Sequence, residues 1–267
     1  MDAIKTLVID QMGHQVLAPA IPKRIVSLVP SQTELLFDLC LSDRIVGVTK
    51  FCIYPAEKVK TKTIIGGTKN FHFELIHQLQ PDLIIGNKEE NYQEGILELQ
   101  KWYPVWMSDI YNLQDAYKAI KQIGQVTDTV PAAKKILDNI QRGFNQLRPQ
   151  ANIPAAYFIW RKPYMSIGSQ TFIQDILAKA GFHNIFGHLS RYPAIQAVEL
   201  KTANPKVILL SSEPYPFSQK HIKEFQEICP EAIIKLVDGE MFCWYGSRLQ
   251  YAAAYLDNLR KEIEKLL

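Results

Sequence analysis

Aromatic and cationic side chains gather in the loops that follow predicted strands, which is where the ligands of α/β sheets bind. These candidate ligand-binding residues are Phe51, Tyr54, Lys69, Phe71, Trp160, Arg161, Trp244, Tyr245 and Arg248. Aromatic walls with a few cationic groups suit a large, flat, partly anionic ligand. A single loop aromatic more often covers the core of its own lobe. The prediction of a shared cleft therefore depends on several loops having the same bias.

The residue patterns indicate binding and not catalysis. The chain contains no Ser-His-Asp, HExxH or kinase-type pattern, so no catalytic residue is predicted. The four cysteines are widely spaced and form no CxxC pair, which argues against a zinc ribbon or a thioredoxin-type motif. Cys52 and Cys243 lie in candidate cleft loops, and the sequence leaves open whether either contacts a metal. No metal-ligand set and no cofactor are predicted.

The composition is that of an ordinary globular protein. Of the 267 residues, 47% are hydrophobic and 21% are charged, and the formal net charge of +3 gives no basis for nucleic-acid binding. No apolar run approaches the roughly 20 residues that a transmembrane helix needs. The first twenty residues show no apolar signal core. We therefore expect a periplasmic or cell-surface protein if an export signal was removed, and a cytoplasmic one otherwise.

Short β-branched apolar runs alternate with helical periodicity along most of the chain. This alternation predicts an α/β fold with two Rossmann-like lobes, parallel sheets covered by helices on both faces, and a ligand cleft between the lobes. One longer segment with a single apolar stripe, at residues 128–147, predicts a helix that joins the lobes. The predicted domains are the N-terminal lobe at residues 1–127, the linking helix at 128–150 and the C-terminal lobe at 151–267.

Two short patterns give local predictions. Ser31 and Glu34 match a capping box, so a helix is expected to begin just after Ser31. Residues 7–17 are predicted to form a small hairpin that turns at Met12 and Gly13, because glycine tolerates the backbone of a tight turn.

Stretches spread along nearly the whole chain resemble a known family. They are RIVSLVPSQTE (24–34), VGVT (46–49), YP (54–55), GGT (66–68), LQPDLII (79–85), IGS (167–169), AGFHNIF (180–186) and NPKVI (204–208). In this order they resemble the helical-backbone (class III) substrate-binding proteins that serve ABC importers for cobalamin, haem and ferric siderophores, with the cobalamin-binding branch most similar. The resemblance implies two α/β lobes bridged by a rigid helix, and capture of a metal chelate, a corrinoid or an iron complex, between them.

The resemblance also implies a transporter partner. Members of the family carry one glutamate on each lobe that docks onto arginines of the permease dimer. The first belongs to the short helix before the Pro-Asp-Leu strand, where Glu74 stands, and the second is matched to Glu213. The predicted helix at residues 72–79 turns Leu75, Ile76 and Leu79 towards the lobe core, which leaves Glu74 pointing outward. The protein is expected to act as a monomer.

Two other functions remain open at this point. The same architecture occurs in nitrogenase-type subunits, so a cytoplasmic relative could carry or modify a metal tetrapyrrole. A cytoplasmic sensor or storage protein for corrinoids is the third possibility. An export signal encoded upstream, or a neighbouring permease, would favour transport over both.

Overall fold

The computed structural model describes residues 4–148 and 152–267. These residues form two compact units. Of the described residues, the N-terminal unit contains those up to Ile110, Gln114–Asn139 and Tyr245–Arg248. The C-terminal unit contains Tyr111–Leu113, those from Ile140 to Trp244, and Leu249–Leu267. No helix of the described chain is both long enough and apolar enough to cross a bilayer.

The first unit is built from strands and short helices in alternation. Its strands are β1 (Lys5–Ile9), β2 (Gln15–Pro19), β3 (Ile25–Ser27), β4 (Ile45–Val48), β5 (Thr63–Ile64), β6 (Gly66–Gly67), β7 (Asn70–Phe71), β8 (Leu83–Asn87) and β9 (Val105–Ser108). Its helices are α1 (Pro30–Asp38), α2 (Ala56–Val59), α3 (Phe73–Leu79), α4 (Gln93–Gln100) and α5 (Leu113–Val126), with a 3-10 turn at Ser42–Arg44.

The main sheet of this unit is parallel and has the order β5-β4-β3-β8-β9. The chain moves outward from β3 in one direction and then returns to add β8 on its other side. The switch point between β3 and β8 is where doubly wound sheets hold their ligands, beyond the carboxyl ends of the strands. Strands β3, β8 and β9 are buried on both faces, as expected for a sheet covered by helices on both sides, whereas the edge strand β5 is exposed.

Helix α6 (Val130–Gln146) passes from one unit into the next, since its residues up to Asn139 belong to the N-terminal unit and those from Ile140 to the C-terminal unit. Ala133, Ile136, Ile140 and Phe144 form its buried stripe. Residues 149–151, where the predicted linker ends, lie outside the described residues. The boundaries at 127 and 150 and the role of this helix as the single link remain predictions.

The second unit repeats the alternation. Its strands are β10 (Ile153–Trp160), β11 (Met165–Ser166), β12 (Phe182–Asn184), β13 (Val207–Ser211) and β14 (Ile233–Val237). Its helices are α7 (Phe172–Lys179), α8 (Ala197–Ala203), α9 (Gln219–Ile228), α10 (Glu240–Cys243) and α11 (Leu249–Glu264). Strands β12, β10, β13 and β14 are parallel and β11 pairs antiparallel with the end of β10. The switch point here lies between β10 and β13. The predicted α/β class with parallel sheets is confirmed.

One local prediction was wrong. Helix α1 begins at Pro30 and its N-cap is Val29, which has no side-chain cap. Ser31 is therefore a buried helical residue, and Glu34 does not close a capping box. The N–H of the first helical residue has no partner within a helix, and proline has no N–H, so Pro30 is well suited to that position and the helix begins there instead of after Ser31. The hairpin of β1 and β2 forms as predicted, with Gly13 at a φ of +84° in its turn.

Candidate ligand-binding site

A buried network of amides joins the loops at the switch point of the N-terminal sheet. The Asn87 side chain donates to Ser108 Oγ at 2.9 Å, and Asn91 Oδ1 accepts the backbone N–H of Asn87 at 2.9 Å. Asn91 Nδ2 donates to the carbonyl oxygens of Thr68 at 3.0 Å and Leu28 at 3.3 Å. Because these polar groups are buried and mutually satisfied, they hold the loops after β3, β6 and β8 in one arrangement.

Tyr54 lies in the loop after β4 and carries a stacked guanidinium. The Arg248 guanidinium sits 4.2 Å from the centroid of the Tyr54 ring. The same group forms a two-pronged pair with Glu34 of α1, with Nε–Oε2 at 2.9 Å and Nη2–Oε1 at 2.6 Å. Tyr54 as a residue remains 37% exposed. Arg248 therefore already has a carboxylate partner, and Tyr54 offers an aromatic surface to solvent.

Burial governs the electrostatics of this pair. The Arg248 and Glu34 side chains are only 12% and 14% exposed. Loss of water raises the pKa of Glu34, and the hydrogen bond and charge of Arg248 oppose that rise without cancelling it. The pair thus contributes no free charge for an anionic ligand.

The other predicted residues of this unit differ in exposure. Phe51 is 51% exposed, and Lys50 Nζ lies 5.1 Å from its ring centroid. Lys69 is exposed and donates to the carbonyl oxygen of Glu89. Phe71 is 4% exposed and packs in the hydrophobic core of the unit. Its ring adjoins those of Phe73 and Tyr92, with centroids 5.5 and 4.8 Å away.

The end of β10 places the corresponding residues of the C-terminal unit. Trp160 is 40% exposed, and the edge of its indole meets the Tyr215 ring at a centroid distance of 5.7 Å. Arg161 binds Oε2 of Glu224 in α9 through Nε at 2.9 Å and Nη2 at 2.8 Å. The Tyr164 hydroxyl donates to the other oxygen of Glu224. Trp160 is consequently the accessible group, and Arg161 is neutralised beside it.

The pKa values of this cluster reflect its hydrogen bonds. Burial works against ionisation of Glu224, but the hydrogen bonds from Tyr164 and Arg161 together lower its pKa. Burial, followed by donation to a carboxylate, raises the pKa of Tyr164 to about 12. The carboxylate therefore stays ionised at neutral pH and holds both partners in place.

The remaining predicted residues are mostly buried or hydrogen-bonded within the protein. Trp244 and Tyr245 are 6% and 8% exposed. Glu213 follows β13, and its Oε1 accepts the Trp244 indole N–H at 2.8 Å and the Cys243 thiol at 2.9 Å. Tyr245 and Arg248 belong to the N-terminal unit, whereas the sequence predicted them within the C-terminal lobe. Of the predicted ligand-binding aromatic residues, the three accessible to solvent are therefore Phe51, Tyr54 and Trp160.

The cysteines in the candidate loops are thiols. Cys52 is buried, and its Sγ lies 3.1 Å from Thr33 Oγ1 and 3.2 Å from Thr49 Oγ1. Burial raises the pKa of the Cys52 thiol, so it stays protonated at neutral pH. Within residues 4–148 and 152–267, no group of three or more His, Cys, Asp or Glu side chains could hold a metal ion.

The assignments of ligand contacts remain predictions, and the packing identifies partners that sequence reasoning missed. Glu34 and Glu224 were not expected to neutralise the two candidate arginines, and Asn87 and Asn91 were not assigned a role. Glu34 had been interpreted as a helix-capping residue because the local pattern fitted. No spacing pattern connects either glutamate with its arginine, since the partners are 214 and 63 residues apart.

A family model for periplasmic binding proteins matches residues 25–247, which is most of the chain. The chain therefore belongs to the periplasmic binding protein family, and the resemblance noted from its motifs is confirmed. It is a substrate-binding protein and not an enzyme.

Individual relatives extend this result. The vitamin B12-binding protein of Vibrio parahaemolyticus is 23% identical over 195 residues, which is 71% of this chain and 70% of the relative. The structure of the periplasmic vitamin B12 binding protein BtuF of Vibrio cholerae matches with a TM-score of 0.79 at 19% identity, covering 91% of this chain and 98% of that one. The periplasmic heme-binding protein RhuT from Roseiflexus sp. RS-1 gives the same TM-score and coverage at 18% identity. One fold thus occurs in proteins named for different ligands.

Proposed function

We propose that this protein captures a metal chelate outside the cytoplasmic membrane, in the periplasm or at the cell surface, and delivers it as a monomer to the permease dimer of an ABC importer. The observation that carries the proposal is the family match over residues 25–247. The name of the vitamin B12-binding relative supports a tetrapyrrole-like ligand. The exposed rings of Tyr54 and Trp160 at the carboxyl ends of their sheets provide surfaces against which such a ligand would pack.

The pairing of the arginines favours a corrinoid over a strongly anionic chelate. Arg248 and Arg161 are each bound to a glutamate, so neither offers an uncompensated charge to a carboxylate or catecholate. Lys69, whose ammonium group binds a carbonyl oxygen, is the remaining cation of the predicted set. A corrinoid, whose periphery is rich in amides, needs aromatic contact and neutral hydrogen bonds more than it needs arginines.

Absorbance and fluorescence titrations of the purified protein against cobalamin, cobinamide, haem and a ferric siderophore test the proposal. We expect the corrinoids to bind most tightly. Binding of haem or of the siderophore alone would contradict the corrinoid assignment but retain chelate capture. Binding of none of the four would contradict the function.

The Trp160→Ala variant tests the assigned surface. Loss of one aromatic contact should weaken corrinoid binding by ~1–3 kcal/mol. Trp102→Ala is the matched control, because Trp102 is 65% exposed but lies at the other end of its sheet, before β9. Equal affinities of Trp160→Ala and the unchanged protein would remove Trp160 from the site.

Glu74 is the candidate for docking in the N-terminal unit. It is exposed on α3, whose Ile76 is fully buried in the core. In the C-terminal unit, α8 is the helix built like α3. Each helix has seven residues and ends at a left-handed residue, Gln80 or Asn204, which a proline and then a buried strand follow. Glu74 stands six residues before Gln80, and the residue six before Asn204 is Val198, so Val198 occupies the position in α8 that is equivalent to Glu74 in α3.

The predicted second docking residue, Glu213, lies elsewhere, after β13, where its carboxylate already accepts two hydrogen bonds. The single variants Glu74→Arg and Glu213→Arg therefore separate the two proposed contacts. Glu74→Arg should abolish uptake with ligand affinity unchanged, because charge reversal opposes the arginines of the permease. Glu57→Arg is the control, since Glu57 is likewise an exposed glutamate in the first turn of a helix. Normal uptake by Glu74→Arg would refute its role.

A further inference from the structure

The hairpin of β1 and β2 presents an apolar face to solvent. In the register of the two strands Leu7 lies opposite Leu17, and Ile9 lies opposite Gln15. Leu7, Ile9 and Leu17 are 56%, 58% and 51% exposed, and Ile4, just before β1, is 81% exposed. The alternate residues of β2, Val16 and Ala18, are buried against the unit. The hairpin therefore has apolar residues on both faces, whereas one solvated face of such a ribbon is ordinarily polar.

This face continues into a groove beside it. The groove has a volume of about 540 Å³ and lies between β2 and the turn that joins α4 to β9, with Lys5, Leu17, Lys101 and Trp102 among its lining residues. Because Leu17 and Trp102 line the same groove, the apolar face and the exposed indole form one surface. We call it the hairpin patch, consisting of Ile4, Leu7, Ile9, Leu17 and Trp102.

The hairpin patch is held rigidly by the body of the unit. The buried Asp10 carboxylate accepts the backbone N–H groups of Met12 at 2.9 Å and His14 at 2.8 Å, which fixes the turn. The backbone N–H of Gln11 donates to the carbonyl oxygen of Met107 in β9 at 3.1 Å. The exposed residues consequently cannot be buried by a simple rotation of the hairpin, and their exposure needs another explanation.

The charges around the hairpin patch are predominantly basic. Lys5 stands on the same strand as Leu7 and Ile9, and Lys121 adjoins Gln122 of α5, whose side chain donates to the Ile9 carbonyl oxygen at 3.1 Å. Among the described residues, neither Lys5 nor Lys121 has a carboxylate partner. The nearby acidic residues Glu98 and Asp115 are paired with lysines at 2.6 and 3.5 Å. Within the part of the chain that the structure describes, the rim of the patch thus carries positive charge without a compensating carboxylate.

We propose that the hairpin patch is a peripheral membrane-binding surface for bilayers containing anionic phospholipid. Aliphatic side chains flanked by lysines give both of the contributions that such binding needs, burial of apolar area and attraction to anionic headgroups. The exposed Trp102 adds an indole, the side chain that concentrates at bilayer interfaces. A protein partner would remove these lysines from water, which is costly unless the partner supplies acidic residues to pair with them. Phospholipid headgroups can pair with the lysines while the lysines remain hydrated.

This surface is separate from the proposed chelate site, and its test needs neither chelate nor importer. The full-length protein is mixed with vesicles of phosphatidylcholine alone, or with added phosphatidylglycerol, and binding is measured by flotation. We expect binding only to the anionic vesicles and a decrease as salt rises, because the Debye length shortens. No binding to either vesicle would overturn the proposal, and so would equal binding to both at all salt concentrations.

Two variants assign the binding to the hairpin patch. Leu7→Ser combined with Leu17→Ser should weaken partition into anionic vesicles by about tenfold or more, since two side chains lose apolar burial. Lys5→Glu combined with Lys121→Glu should abolish the dependence on phosphatidylglycerol. The controls are Val198→Ser, a valine 63% exposed on α8, and Lys135→Glu on α6, and both should bind as the unchanged protein does.

Light scattering without lipid distinguishes the membrane from a second copy of the chain. A dimer that the double serine variant converts to a monomer would mean that the patch covers itself, and would overturn the proposal. Retention of vesicle binding by both double variants would also overturn it. Circular dichroism confirms that each variant is folded, which is expected because all four substituted residues are exposed.

Discussion

Each unit holds an arginine–glutamate pair beside an exposed aromatic ring, but the two pairs differ in geometry and in access to water. Arg248 and Glu34, next to Tyr54, form a bidentate ion pair in which each carboxylate oxygen accepts one guanidinium N–H. Their side chains are 12% and 14% exposed. In the second pair, near Trp160, two nitrogens of Arg161 contact the same carboxylate oxygen of Glu224. These side chains are 31% and 24% exposed. The second oxygen of Glu224 is taken by a tyrosine hydroxyl.

The same residue types therefore acquire opposite pKa shifts. Burial outweighs Arg248 and raises the pKa of Glu34, whereas hydrogen bonds outweigh burial and lower the pKa of Glu224. The difference teaches that the first pair is mainly a structural connection, tying the segment Tyr245–Arg248 to α1. The second is a partly solvated pair that holds Arg161, the residue after the exposed Trp160, and Tyr164 on one glutamate.

Arg248→Met should produce the largest effect on stability. The substitution leaves the enclosed Glu34 carboxylate without its cation, and we expect a loss of roughly 3 kcal/mol in the free energy of unfolding. Part of the penalty is avoided if Glu34 takes up a proton, which its raised pKa makes easier. Urea denaturation followed by circular dichroism measures the change.

A double variant shows whether charge or packing is responsible. Glu34→Gln added to Arg248→Met removes the unpaired charge, so the double variant should recover most of the stability lost by the single one. A double variant as unstable as Arg248→Met would mean that the stacking of the guanidinium on Tyr54, at 4.2 Å, was the main contribution.

Arg161→Met should destabilise the protein less than Arg248→Met does. The carboxylate of Glu224 keeps the hydrogen bond from Tyr164 and has water available, so its isolation is incomplete. The pKa of Glu224 should nevertheless rise towards the ordinary value of 4.5, because one of the groups that lower it is gone. Denaturation midpoints of the two arginine variants, measured under one condition, test the order, and a larger loss for Arg161→Met would reverse the comparison.

The structured parts that the sequence predicts well are those whose pattern is local. Helix α3 follows from its apolar spacing, and Ile76 is fully buried while Glu74 is exposed. The hairpin follows from alternation around Gly13. In both cases the residues that define the element are neighbours in the chain, so periodicity contains the information.

The pairings at the candidate site could not be predicted in this way. The Ser31 and Glu34 pattern satisfied a local rule for helix capping, yet Glu34 turns to Arg248, 214 residues further on. A capping hydrogen bond and a two-pronged ion pair compete for one carboxylate, and the charged partner is the stronger. The packing of the Phe71 ring in the hydrophobic core of its unit was likewise not visible from its loop position, and its predicted ligand contact stays a prediction. Long-range packing decides such cases.

The carboxyl titrations should sharpen the comparison further. Carbon-detected NMR should place the pKa of Glu34 above 4.5 and that of Glu224 below it. The stability contributed by Glu224 is then present above pH 4.5 and is lost as the pH falls through its lowered pKa. Glu34 has the opposite pH dependence, because its contribution is complete below pH 4.5 and is lost as the pH rises through its raised pKa. Titration of both groups on the same side of 4.5 would contradict the role assigned to burial.

The smallest expected effect concerns His221, which lies beside the second pair. The backbone N–H of Ser218 donates to His221 Nδ1 at 2.9 Å, so Nδ1 must be unprotonated, and Nε2 lies 3.1 Å from the Tyr215 hydroxyl. Burial, followed by the charges of Lys220 and Arg161, lowers the pKa of His221, and the Glu224 carboxylate opposes them only in part.

Between pH 6.5 and the lowered pKa of His221, the unfolded chain therefore binds more protons than the folded one. Stability contributed by the neutral ring is complete above pH 6.5 and is lost as the pH falls below it, when a proton on Nδ1 would oppose the N–H of Ser218 at the start of α9. His221→Asn retains an acceptor for that N–H but does not titrate, so we expect its denaturation midpoint to fall less than that of the unchanged protein on acidification. Parallel slopes for the unchanged protein and His221→Asn would show that this histidine does not couple to folding.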